Sequence, residues 1–205
     1  MNNYKLPEIS KAITDKRKIG LGIIGFADLL FQLKIPYNSL EAVNLAEKLM
    51  GFIQDEAKAA SVELGQKKGS YPNFDQTGPD NKVVRNASVT AITGANTISI
   101  IAETSSGIEP LNTLVHTKYV LDGTELLYTN RYFEAELKKR GLYSKELIRN
   151  IAKTGSIQKM QELPPELKKI YVVAADIDPE WHIHIQAAFQ KYSDNNVVTT
   201  INFPP

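Results

Sequence analysis

The sequence contains no cysteine in its 205 residues. This absence excludes disulfide bonds, thiolate metal sites and any reaction of a cysteine nucleophile on this chain. An excess of one charge is also lacking, since 24 Lys and Arg residues stand against 23 Asp and Glu residues. Without a large basic excess, the composition does not indicate a surface for duplex nucleic acid. We therefore expect no direct nucleic-acid partner.

Long apolar runs are missing as well. No stretch reaches the roughly 18 apolar residues that a bilayer-spanning helix needs, and the polar, charged start has no apolar secretory core. We expect no membrane association and a cytoplasmic protein. With 42% hydrophobic residues, the chain can bury a core, and the expected organisation is a single domain over residues 1–205.

Helical periodicity dominates the first part of the chain. The apolar stretch Ile19–Leu33 predicts a buried helix. Ser39 can cap a second, amphipathic helix that runs to about Leu64. Residues 1–64 are therefore expected to be mainly helical. The segment Gly65–Lys82 is rich in glycine, proline and polar residues, and is expected to be a loop.

The second part, residues 83–205, is expected to alternate strands and helices. Capping residues predict helices after Asn130, Ser144 and Asp178. Such alternation is typical of parallel α/β architecture. β-branched and apolar runs predict strands at Asn86–Ile92, Ile170–Ala175 and Val197–Phe203.

One loop in this part carries a candidate binding site. It follows a predicted strand and opens a predicted helix, Thr97–Ala102. Unpaired backbone N–H groups and the positive end of the helix dipole favour phosphate at such a position, and two hydroxyl side chains add donors. A purely structural turn is an equally open interpretation. The candidate phosphate-binding residues are Gly94, Ala95, Asn96, Thr97, Ile98 and Ser99.

Three other patterns favour structural interpretations. Gly20–Gly25 matches the dinucleotide pattern, but charged residues precede it where a strand is required, so close packing through small residues is favoured. His182 and His184 resemble a metal pair, yet on a helix they point about 200° apart, so we expect no metal site. The hydroxyl-rich run Thr104–Pro110 lacks the nucleophile elbow of a serine hydrolase, which favours a capped loop.

Several segments together resemble one protein family. The run Arg17–Leu30, followed by Ile35–Tyr37, is similar to the RKIGLGVMGFADLL…GIPY stretch of ribonucleotide reductase catalytic subunits. Later segments look like that family's RNAT…TISIIA…SSGIEPL, and further matches follow in the expected order. The GSIQ and QAAFQ segments are more similar to the adenosylcobalamin-dependent class than to the di-iron class. The later segments are Arg85–Thr90, Thr97–Ala102, Ser105–Leu111, Gly155–Gln158, Ala175–Ile183, Gln186–Gln190 and Thr200–Pro204.

The resemblance implies a fold and a chemistry. The implied fold is α/β, part of a ten-stranded α/β barrel with parallel strands and flanking helices. The implied chemistry is an oxidoreductase reaction that reduces ribonucleotides to deoxyribonucleotides for DNA synthesis. In that family a cysteine thiyl radical starts the reaction, and adenosylcobalamin generates the radical. Because this chain has no cysteine, we expect no catalytic residue on it and no reductase activity from it alone.

The resemblance also bears on the loop at Gly94. In the family a Pro-Thr-Gly-Thr turn binds the phosphates of the substrate, and Thr97 and Ser99 match the residues that follow that turn. Gly94-Ala95-Asn96 stands where Pro-Thr-Gly is usual, and Val197–Thr200 stands where Ala-Val-Ser-Lys is common.

The expected role is therefore that of a fragment or split subunit of an adenosylcobalamin-dependent reductase. Such a chain would supply barrel scaffold and the substrate phosphate-binding loop. Its expected partners are a ribonucleotide substrate and either a complementary reductase fragment or a second copy of itself. The alternative is a non-catalytic nucleotide-binding or interaction module derived from the same fold.

Overall fold

The computed structural model describes residues 4–75, 82–119 and 125–201. The chain divides into two compact units. The first comprises Met1–Gly22, Ala46–Thr93 and Ala188–Val198, and the second comprises Ile23–Leu45, Gly94–Ala187 and Thr199–Pro205. The expectation of a single domain over residues 1–205 stays a prediction.

Helices account for most of the regular structure in the described ranges. They are α1 (Pro7–Lys16), α2 (Phe26–Leu33), α3 (Leu40–Lys68), α4 (Asn96–Ala102), α5 (Arg131–Lys139), α6 (Lys145–Thr154), α7 (Pro165–Ile170) and α8 (Pro179–Gln190), with a short 3-10 turn at Ala174–Asp176. The strands β1 (Val115–Tyr119) and β2 (Glu125–Thr129) form an antiparallel pair in which Val115 lies opposite Thr129. None of the described helices has both the length and the apolar character to cross a membrane.

Three segments of the first unit run beside one another in the parallel sense. Leu21 forms a parallel bridge with Thr90, and Ile92 forms another with Val197. The N–H of Leu21 donates to the carbonyl oxygen of Val89 at 2.8 Å. Each pairing covers too few residues to make a regular ladder, so the segments are isolated bridges rather than strands.

The three predicted strands are therefore corrected. Asn86–Ile92 and Val197–Phe203 contribute only bridges in their described parts, and the last two residues of the second range lie outside the described residues. The predicted strand Ile170–Ala175 is wrong, since α7 extends into it and a 3-10 turn begins at Ala174. Pro165 at the start of α7 is preorganised for a helix, which ends at Ile170, and residues 171–173 form neither helix nor strand. The described regular strands are thus antiparallel, where parallel ones were expected.

The predicted helix Ile19–Leu33 is helical only in its second half. α2 begins after Gly25, whose φ of 84° favours glycine. Within the first unit, a Cβ on Gly20 would lie 2.9 Å from the Cβ of Ala91, and a Cβ on Gly22 would overlap the carbonyl oxygen of Ala91. The first two glycines of the pattern therefore permit close approach of two extended backbones.

Local capping signals predicted the other helices well. The Oγ of Ser39 accepts from the N–H of Ala42 at 3.2 Å, and α3 continues to Lys68, beyond its predicted end. Asn130 caps α5 and Ser144 caps α6, each through a side-chain oxygen that accepts backbone N–H groups. α8 also begins where the sequence predicts it, and α4 begins at Asn96, one residue before its predicted start. The patterns did not predict α1, α7 or the hairpin.

Aromatic rings organise the core of the second unit. The ring of Tyr171 lies 4.8 Å from that of Phe31 and 5.0 Å from that of Phe133, measured between centroids. Burial of each large apolar side chain stabilises a fold by about 1.5–3 kcal/mol. The remaining core includes Leu114, Leu137, Ile148, Ile151, Ile157 and Leu167.

Candidate functional site

The predicted phosphate-binding loop leads directly into α4. Ala95 precedes the helix, and its carbonyl oxygen accepts from the N–H of Ser99 at 2.8 Å. No side chain caps the helix. The N–H groups at the start of any helix have no intrahelical acceptor. A Cβ on Gly94 would meet nothing within 4 Å, so the backbone at this point is open to a ligand.

The side chains of this loop point in different directions. Thr97 and Ile98 are exposed, whereas Ser99 is buried. The hydroxyl of Ser99 donates to the carbonyl oxygen of Asn96 at 2.8 Å. The hydroxyl of Thr97 is therefore exposed to solvent, whereas the hydroxyl of Ser99 donates its hydrogen bond to the backbone.

A second, hydroxyl-rich loop, Thr104–Gly107, contacts the start of α4. The hydroxyl of Ser106 donates to Oδ1 of Asn96 at 2.8 Å. The N–H of Thr104 donates to the carbonyl oxygen of Ser99 at 2.9 Å. Because Oδ1 of Asn96 is engaged in this way, the amide nitrogen of that exposed side chain carries the donors available to a ligand.

A buried carboxylate contacts this second loop. Asp28, in the first turn of α2, is only 3% exposed. Its Oδ2 accepts from the N–H of Ser105 at 2.8 Å, and its Oδ1 accepts from Nδ2 of Asn130 at 2.8 Å. Sequence reasoning missed Asp28, although a lone acidic residue inside an apolar run is a detectable signal.

The two histidines on α8 occupy different environments. His182 is 1% exposed, and among the described residues neither of its ring nitrogens has a partner in hydrogen-bonding geometry. Burial lowers the pKa of His182, and the nearby backbone of Thr200, the charge of Glu109 and the backbone of Ala174 oppose that shift only in part. His184 is exposed and pairs with Glu180 across one helical turn, at 3.4 Å between Nε2 and Oε1. The two rings therefore do not share a face.

The cavity of the first unit does not match a corrin cofactor. One cavity in the first unit has a volume of about 630 Å³ and is lined mainly by α3 and residues 82–89. Pockets of about 300–1,000 Å³ suit drug-sized ligands, and adenosylcobalamin exceeds that class. In the described ranges, no group of three His, Asp or Glu side chains could hold a metal ion. The fit of adenosylcobalamin to this cavity is therefore poor.

Comparison with known proteins assigns the chain to a family. Residues 1–84 and 80–205 match the profile of the family described as "Ribonucleotide reductase, barrel domain". A vitamin B12-dependent ribonucleoside-diphosphate reductase of Thermoplasma acidophilum is 44% identical over 203 residues, which are 98% of this chain and 26% of that protein. A reductase of the same description from Mycobacterium tuberculosis is 40% identical over 209 residues, covering 100% of this chain and 30% of that protein.

A solved structure agrees with these sequence matches. The alpha subunit of the class Id ribonucleotide reductase of Actinobacillus ureae superposes with a TM-score of 0.79 at 25% identity, over 93% of this chain and 34% of that one. The chain thus spans between 26% and 34% of the length of these relatives. The resemblance seen in the sequence is confirmed, and the chain belongs to the ribonucleotide reductase barrel-domain family.

Proposed function

We propose that this chain contributes barrel scaffold and the substrate phosphate-binding loop to an adenosylcobalamin-dependent ribonucleotide reductase. Two relatives described as vitamin B12-dependent reductases match essentially the whole chain, which supports the reaction and the cofactor class. The cavity of the first unit does not fit the cofactor, and we assign the binding of the cofactor to the rest of the reductase. The ten parallel strands of the barrel are likewise proposed for the complete enzyme.

The observation that carries the phosphate assignment is the open backbone at the start of α4. A diphosphate placed there would accept hydrogen bonds from the N–H groups of the first helical turn. The hydroxyl of Thr97 and the amide nitrogen of Asn96 would add side-chain donors. Ser99 would act indirectly, since its hydroxyl holds the carbonyl of Asn96. Each such hydrogen bond contributes about 0.5–1.5 kcal/mol, so no single side chain should dominate.

A substitution at Ala95 tests this assignment. Ala95→Asp would place a carboxylate beside the bound phosphates, and we expect cytidine diphosphate to bind at least about 100-fold more weakly. Ala95→Asn is the matched control, because it has nearly the same shape without the charge. The measurement is a titration of the complete reductase with cytidine diphosphate. Equal affinity of both variants and the parent, with folding intact, would place the phosphates elsewhere.

Two hydroxyl deletions refine the assignment. Thr97→Val should weaken binding by up to roughly tenfold, since it removes one direct donor. Ser99→Ala should weaken it by a similar amount or less, because its hydroxyl contacts only the backbone of Asn96. A loss of more than about 100-fold for either variant alone would contradict a site built mainly from backbone donors.

The same proposal includes a protein partner. The chain spans between 26% and 34% of the length of its relatives. In addition, three isoleucines of α4 are exposed, which is typical of a surface that another polypeptide covers: Ile98, Ile100 and Ile101. We expect the isolated chain to be marginally stable or to associate, either with the remainder of a reductase or with itself. A monodisperse and highly stable monomer in light scattering and thermal melts would contradict this expectation.

The non-catalytic alternative makes a different prediction. A nucleotide-binding or interaction module would bind cytidine diphosphate without ever supporting its reduction. Addition of the chain to a reductase preparation that lacks this region separates the two roles. Restored deoxynucleotide formation supports the reductase role, and retained binding without restored formation supports the module.

A further inference from the structure

Asp28 joins three segments of the second unit that are far apart in sequence. Its own N–H donates to Oγ of Ser105 at 3.3 Å, and its carboxylate accepts from the N–H of the same residue. The other carboxylate oxygen accepts from Asn130, which also caps α5. The first turn of α2, the Thr104–Gly107 loop and the start of α5 therefore meet at one buried side chain.

We propose that Asp28 is a positioning residue for substrate binding. Its carboxylate holds the Thr104–Gly107 loop in place, and the Ser106 hydroxyl of that loop in turn orients the amide of Asn96. Asp28 itself is buried and does not contact the ligand. This inference rests on the proposed function of the Gly94–Ser99 loop.

The physical basis is a match between acceptors and donors. An ionised carboxylate offers only acceptors, and the groups that Asp28 faces at Ser105 and Asn130 are N–H donors. Asp28→Asn would replace one acceptor with an NH₂ group that faces a donor. A buried donor without an acceptor is unfavourable, so the side chain or the loop must move. The hydrogen bond from Ser106 to Asn96 then loses its fixed geometry.

A reciprocal substitution can restore the match. In the double variant Asp28→Asn with Asn130→Asp, the new amide at position 28 can accept from Ser105 and donate to the new carboxylate at position 130. That carboxylate can still accept the backbone N–H groups at the start of α5, where aspartate is a favoured cap. The double variant should therefore recover the arrangement that the single variant loses.

The experiment compares cytidine diphosphate affinity and thermal stability in the complete reductase. Asp28→Asn should bind about tenfold more weakly, and the double variant should return to within about twofold of the parent. The control is Ser144→Ala, which removes the cap of α6, a hydrogen bond made to Leu147 of that helix. It should lower the melting temperature while leaving the affinity unchanged.

A second readout follows the loop itself. Amide hydrogen exchange of Ser105 should accelerate in Asp28→Asn and slow again in the double variant, because the carboxylate accepts from that N–H. This measurement needs only the 205-residue chain. It remains informative if the single variant assembles poorly into the reductase.

Each result decides between the two claims. Weaker binding with faster exchange, both reversed in the double variant, supports the positioning role. If Ala95→Asp abolishes binding while Asp28→Asn binds like the parent, the proposed function stands and the positioning role is wrong. Equal losses of affinity in Asp28→Asn and Ser144→Ala would show a general effect of stability and overturn it. If Ala95→Asp binds like the parent, both claims fall.

Discussion

His182 gives a direct test of the interior of the second unit. Its ring is 1% exposed and lies 6.0 Å from the ring of Tyr37, between centroids. Among the residues that the structure describes, neither nitrogen has a partner in hydrogen-bonding geometry. The test substitution is His182→Leu, which keeps a similar volume and removes both polar atoms. A buried polar group without a partner costs about 1–3 kcal/mol, so the variant should be at least as stable as the parent at pH 7.5.

The effect of pH has a definite sign. Burial lowers the pKa of His182 below the 6.5 of a free side chain, so between these two values the unfolded chain binds a proton that the folded chain does not. The stability contribution of the neutral ring is fully present above pH 6.5 and declines as the pH falls toward the folded pKa. Between the two pKa values, this contribution to the free energy of unfolding changes by up to about 1.4 kcal/mol per pH unit. Leucine does not titrate, so His182→Leu should lack this slope.

The assay is urea unfolding of the chain at pH 7.5, 6.5 and 5.5. All other side chains are the same in the two proteins, so the difference between parent and variant isolates the histidine. His184→Leu is the matched control, because it makes the same substitution at an exposed position of the same helix. The same pH dependence in parent and His182→Leu would refute the reasoning, since it would show that the buried ring does not titrate with folding.

Three further predictions concern activity and stability. The chain alone should form no deoxynucleotide from cytidine diphosphate with adenosylcobalamin and a dithiol, because none of its 205 residues is a cysteine; product formation by the purified chain would contradict this. Gly22→Ala should lower the free energy of unfolding by more than about 2 kcal/mol through overlap with Ala91, whereas Gly94→Ala, in open space, should change it by less than about 1 kcal/mol. Asn130→Ala should cost at least about 1 kcal/mol in urea unfolding, since it removes both the cap of α5 and a partner of Asp28.

Local signals made the helices predictable. Ser39, Asn130 and Ser144 each accept N–H groups two or three residues ahead, so the interaction that starts the helix lies within one window of sequence. The strands were not predictable in the same way. The apolar run Ile170–Ala175 has strand composition, but it joins the end of a helix to a 3-10 turn through irregular residues. Strand formation depends on a neighbour, which composition does not specify.

The candidate site was also predictable only in part. Glycine and hydroxyl residues at the start of a helix indicate a candidate phosphate site at the Gly94–Ser99 segment. Helix N-termini bind phosphate through their own backbone N–H groups, so this signal is local in the sequence. The sequence alone also determined the absence of a cysteine and, through its ordered motifs, the family.

Only the tertiary structure decided which side chains of the site work together. It turns Ser99 inward, pairs Asn96 with Ser106, and links Asp28 to residues 77 and 102 positions away. Hydrogen bonds between residues so far apart in sequence depend on the tertiary fold. Helical periodicity and capping residues are local signals and do not specify such contacts. The buried carboxylate therefore has an identifiable role only where folding places N–H donors against both of its oxygens.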